Sequence, residues 1–171
     1  MNEASTDLSK VIVALDYTEP DKAFQLVDEL GDLIEWYKVG PLLFTQSGYE
    51  IIEFLHSRRK SIFLDLKLYD TPRVVRDTVK QFGELGIRMA SVHCMGGHSM
   101  LEAAAQGLRG SQLRLLGITF LTTQSIGDSA TLGFPNTENE LVSRLLDLAL
   151  EHPLSGVLCS PQEPTEVRPK V

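Results

Sequence analysis

Cysteine is scarce: Cys94 and Cys159 are the only two in 171 residues. Two thiols so far apart make neither a disulfide scaffold nor a CxxC pair with metal-ligand spacing. They are expected to be buried free thiols in a reducing cytosol. Basic residues are in the minority, 16 Lys and Arg against 23 Asp and Glu, for a formal net charge of −7. That field disfavours nucleic acid and anionic membrane surfaces as partners, while leaving room for one small anion in a locally basic site. No stretch approaches the ~18 apolar residues of a membrane span, and Met1 to Lys10 has no apolar targeting core, so the expected location is cytoplasmic. GxGxxG, Walker A, GxSxG and HExxH motifs are all missing. Dinucleotide, P-loop, serine-hydrolase and zincin readings therefore have no support.

The composition that remains, 43% hydrophobic and 23% charged, is that of a folding protein, and the length reads as one domain over residues 1–171. A βα pattern repeats along it. Val11 to Leu15 is a continuous apolar run, expected as a strand buried on both faces, and Pro20 opens a helix with Ala23, Phe24, Val27 and Leu30 at helical spacing before Gly31. Next come a strand Trp36 to Val39 with a helix Pro41 to Arg58, a strand Ser61 to Leu68 with a helix Pro72 to Leu85, and a strand Met89 to Cys94 with a helix through Met100, Leu101 and Ala104. Strand Leu113 to Phe120 follows, then a long polar segment, a helix through Leu141, Leu145 and Leu148, and a strand Ser155 to Cys159. Strict alternation implies a parallel sheet, either doubly wound or closed into a (β/α) barrel, and periodicity does not choose between them.

Charges recur where strands end. Asp65 and Lys67 stand two apart, which on an extended strand puts them on one face, and Asp70 lies in the turn beyond. Asp16 follows the first strand and Lys38 lies within the second. In parallel α/β folds the carboxyl ends of strands are where ligands bind. Any one of these charges is explained as a cap or a salt bridge, but their convergence from three successive units favours a site. His93 ends the fourth strand, where a lone histidine is more often a hydrogen-bonded core residue than a base. His56, His98 and His152 share no sequence spacing that makes a zinc site.

Ala14-Leu15-Asp16-Tyr17, Tyr37-Lys38-Val39-Gly40, Phe63-Leu64-Asp65-Leu66-Lys67-Leu68-Tyr69-Asp70-Thr71-Pro72, Val92-His93 with Gly96-Gly97, Leu121-Thr122-Thr123 and Cys159-Ser160-Pro161-Gln162-Glu163 form an ordered set of blocks. In order and spacing this set resembles the orotidine 5'-phosphate decarboxylase family, whose signature is DxKxxD. The resemblance implies a (β/α)8 TIM-type barrel, a homodimer with sites at the subunit boundary, and conversion of orotidine 5'-monophosphate to UMP and CO2 with no metal and no organic cofactor. It implies Lys67 as proton donor to C6, Asp65 against the departing carboxylate, Lys38 bridging the charged network and a ribose hydroxyl, and Asp16 on the ribose. Asp70 and Thr71 match positions given to the neighbouring subunit's site, with Thr71 in place of the commoner isoleucine, and Thr122 with Thr123 fall where the family contacts the pyrimidine.

The resemblance further implies two more βα units after Glu163, and Arg168 does not match the family's phosphate-gripping arginine. The chain is therefore expected to be truncated after about six βα units, carrying the charge array without the phosphate grip. Two alternatives stand beside this reading: a magnesium-dependent sugar-phosphate relative such as hexulose-phosphate synthase, and an inactive nucleotide-binding fragment. Exposed sheet edges at strands one and six are expected to promote association.

Overall fold

The structure, a computed structural model, describes residues 7–120, 127, 131, 133, 134 and 137–159. The chain forms two compact units, Met1–Leu66 and Lys67–Val171. In the first unit β1 (Ile12–Ala14), α1 (Pro20–Leu30), β2 (Trp36–Val39), α2 (Pro41–Ser47) and α3 (Tyr49–Ser57) precede β3 (Ser61–Leu68), whose last two residues enter the second unit. β1 pairs in parallel with β2, Ala14 opposite Lys38, and β2 with β3, Lys38 opposite Phe63. Leu15, Tyr37, Leu43, Ile51, Leu55 and Ile62 are fully buried in this unit's core. Pro20 at the first helical position and Asp21 in the first turn start α1 where a missing N–H and a negative charge are both tolerated.

Two expectations need correction here. Pro41 to Arg58 is not one helix: Gly48 adopts φ +54, a left-handed conformation that a right-handed helix cannot continue through, so α2 ends and α3 begins anew. Nor is the first strand buried on both faces, since Val11 and Ile12 are 37% and 39% exposed. β1 stands at the end of the strand order with β2 as its partner, so its apolar run is an edge and not a covered centre.

The second unit contains α4 (Pro72–Glu84), β4 (Met89–His93), α5 (Gly97–Gly107), β5 (Arg114–Ile118), α6 (Glu138–Leu150) and β6 (Gly156–Leu158). β5 lies parallel between β4 and β6, with Met89 opposite Arg114 and Leu116 opposite Gly156. α4 buries Val75, Val79 and Phe82, a single stripe at the 3.6-residue period. α5 crosses it closely: a methyl group on Gly107 would sit 2.5 Å from the Arg76 carbonyl oxygen. Thr137 caps α6 by accepting a hydrogen bond from the Glu140 N–H at 3.3 Å. The inner face of α6, with Leu141, Val142, Leu145 and Ala149, packs into a cluster with Cys94 and Phe120.

Strands keep chain order in each unit, β1-β2-β3 and β4-β5-β6. A doubly wound sheet reverses its order at a switch point and a (β/α) barrel does not, so the barrel class is the one that fits. Among the described residues no helix is long and apolar enough to cross a membrane. Only one of the two thiols is buried as expected: Cys94 is enclosed, whereas Cys159, one residue past β6, is exposed. Burial pushes the Cys94 thiol up to about 12.

Candidate active site

In the first unit the Leu15 N–H donates to the Lys38 carbonyl at 2.9 Å, which sets Asp16 beside the carboxyl end of β2. Lys38 Nζ then lies 3.1 Å from Asp16 Oδ1 and 3.5 Å from Oδ2, and 3.9 Å from Asp65 Oδ2. The two carboxylates differ in solvation: the Asp16 side chain is 58% exposed and that of Asp65 8%. A buried carboxylate is costly unless paired, and Lys38 is one cation beside it. Gly40 borders this corner: a Cβ there would lie in ordinary van der Waals contact, 3.4 Å from Asp16 Oδ1 and 3.6 Å from Lys38 Nζ. The three residues Asp16, Lys38 and Asp65 are thus brought together as the sequence pattern predicts.

The second unit begins with Lys67, and its backbone is unusual. Among the described residues only Arg59 and Lys67 are non-glycine residues with positive φ, 55° and 51°. Arg59 sits in the turn after α3, where left-handed residues commonly end helices; Lys67 sits in a strand, where no turn requires it. A left-handed L-residue costs roughly 1–2 kcal/mol, and such outliers gather at functional positions. The strained peptide is held by a side chain: the Lys67 N–H donates to Ser91 Oγ at 3.0 Å, and Ser91 is completely buried in β4. The simple period-two argument for Asp65 and Lys67 does not extend to Lys67, because that argument assumes extended dihedrals at both positions.

Beyond Lys67 the Tyr69 side chain is 63% exposed, with its ring 5.8 Å from that of His93. Asp70 is exposed, its Oδ1 accepting the Thr71 N–H at 2.6 Å. Thr71 is the residue before Pro72 at the start of α4. His93 departs from the hydrogen-bonded core histidine expected of it. Its Nδ1 is buried and has no hydrogen-bond partner among the described residues, and the tilted Tyr69 ring is its aromatic neighbour. Burial first, and the Lys67 ammonium second, hold its imidazole below the usual 6.5. Thr122 and Thr123 lie outside the described residues, as does Arg168.

Ser91 is the residue the sequence reading passed over. Its only signal is a small hydroxyl within an otherwise apolar strand, Met89 to Val92, a place where a polar atom must find a partner.

Comparison with known proteins bears on the family and the fold. The family described as "Orotidine 5'-phosphate decarboxylase / HUMPS family" matches residues 9–171. The chain is 37% identical over 161 residues to the orotidine 5'-phosphate decarboxylase of Saccharophagus degradans, covering 93% of this chain and 68% of that protein. It is 39% identical over 163 residues to the one from Baumannia cicadellinicola, covering 94% and 66%. The chain thus spans about two thirds of the length of these curated relatives. Among solved structures, orotidine 5'-phosphate decarboxylase from Lactobacillus acidophilus superposes with a TM-score of 0.84 at 33% identity, over 93% of this chain and 75% of that one. An uncharacterized conserved protein from Geobacillus kaustophilus gives 0.87 at 31%, over 93% and 77%. Strand order, charge pattern and these matches converge: the chain belongs to the orotidine 5'-phosphate decarboxylase / HUMPS family.

Proposed function

We propose that this chain carries the machinery for decarboxylating orotidine 5'-monophosphate to UMP. The family and the names of its relatives support that reaction class, and the observation that carries the reading to particular residues is Lys38 held between a wet and a nearly dry carboxylate, with Lys67 next in line on the same strand as Asp65 in a strained backbone. When the bond from C6 to the carboxylate breaks, its electron pair stays on C6 in an orbital the ring cannot delocalise. Lys67 supplies a positive charge to that pair and then transfers a proton to C6, ending neutral while CO2 departs. Asp65 lies against the departing carboxylate, Lys38 links the network to a ribose hydroxyl, and Asp16 binds the ribose. Asp70 and Thr71 serve the neighbouring subunit's site in a homodimer, and Thr122 with Thr123 contact the pyrimidine.

A proton donor contributes about 10²–10⁴-fold, whereas enzymes reach ~10⁶–10¹⁷. The fixed charges and remote binding energy therefore have to supply the rest. The test is UMP formation from orotidine 5'-monophosphate by the 171-residue chain and by Lys67→Ala. A loss of at least about 10²-fold in kcat with little change in UMP affinity is the expected outcome. Turnover that Lys67→Ala leaves intact would overturn the assignment, UMP binding without turnover would favour a nucleotide-binding remnant, and turnover abolished by chelator would favour the magnesium-dependent relative.

A further inference from the structure

The histidines without a common sequence spacing meet in space. His98 is the second residue of α5 and His152 lies in the turn after α6, 54 positions later. Their rings stand 5.5 Å apart at 54°, and His152 Nε2 faces His98 Nδ1 at 3.4 Å. Glu151 Oε2 lies 3.5 Å from the same His98 Nδ1, and both side chains are well exposed, 67% and 61%.

A separation of 3.4 Å is longer than the ~2.7–3.2 Å usual for a hydrogen bond from nitrogen. It does match another quantity. Two nitrogens bound to one zinc at ~2.0–2.1 Å, at the tetrahedral angle, stand ~3.3–3.4 Å apart. In the tautomers that leave a lone pair on each of these nitrogens, the two are spaced as one edge of a metal tetrahedron without movement of α5 or of the turn after α6. Among the described residues no group of three or more His, Cys, Asp or Glu is disposed to hold a metal ion, so the arrangement is a two-nitrogen chelate. In such a chelate solvent water would complete the shell, and the Glu151 carboxylate, 3.5 Å from His98 Nδ1, would offset the cation's charge.

We propose that His98 and His152 form a binding site for an imidazole-preferring divalent cation of the zinc, nickel and copper type, clipping the start of α5 to the end of α6. The site uses none of the residues assigned to decarboxylation, so it stands or falls independently of that reading.

The test is calorimetric titration of the full chain with Zn²⁺ alone, in a Cys159→Ser background that removes the exposed thiol. One equivalent is expected to bind, weakened at least tenfold by His98→Ala and by His152→Ala and less than threefold by His56→Ala. Bound Zn²⁺ is expected to raise the Tm of the parent and not of either variant, because a cation that binds only the folded state stabilises it. Circular dichroism confirms that the variants fold. Zn²⁺ affinity equal in all variants, or no binding at millimolar Zn²⁺, would overturn the proposal.

Discussion

At the scale of single residues, His93 links a buried nitrogen to a neighbouring charge. Its folded-state pKa is depressed by burial and by Lys67, so between the unfolded value near 6.5 and the lower folded value the unfolded chain binds a proton that the folded chain does not. Stability contributed by the neutral imidazole is present above the unfolded pKa and is lost as pH falls through the folded one. Cooling that argument into a measurement, the Tm of the native sequence is expected to drop more between about pH 7.5 and pH 5.5 than that of His93→Asn, read by calorimetry. Parallel slopes would remove His93 from the account. Residue chemistry was legible in the sequence where charge falls at a strand's end: Asp16, Lys38 and Asp65 do converge. The left-handed dihedral of Lys67 and its Ser91 tether were not legible, because neither residue type announces a φ or a partner 24 positions away.

Elements were read well wherever periodicity is long and punctuated. α4 shows why: Pro72 opens it, and Val75, Val79 and Phe82 form one buried stripe. The Gly48 break was missed because glycine inside a helical pattern is locally ambiguous between a tolerated residue and a stop. Close approach of helices is equally invisible to pattern. Gly107 in α5 faces the Arg76 carbonyl and Val79 of α4 at a distance that no Cβ can occupy, 2.5 Å from the oxygen. Gly107 is the last residue of α5, so alanine there gains less than the ~1 kcal/mol of a helix interior, while it forces backbone apart at an overpacking cost of about 1–3 kcal/mol. The Gly107→Ala variant is expected to unfold at a lower urea concentration than the parent. A midpoint at or above the parent's would mean that α5 can shift without penalty.

At the scale of the whole molecule, topology decides what local pattern cannot. Among the described residues strands β1 and β6 end the strand order, and Val11 and Ile12 leave apolar surface on the first of these edges. Unpaired strand edges with apolar side chains template pairing between chains, and an edge lysine blocks it. Ile12→Lys is expected to raise the concentration at which sedimentation detects association by about tenfold while leaving the circular dichroism spectrum unchanged. Association unaffected by the charge would assign it to another surface. The two thiols, finally, differ enough to be useful at the bench. Cys94 is enclosed with its ionisation pushed up to about 12, and Cys159 is exposed just past the last strand, so a maleimide dye at neutral pH marks Cys159 alone and gives a uniformly tagged population without mutagenesis.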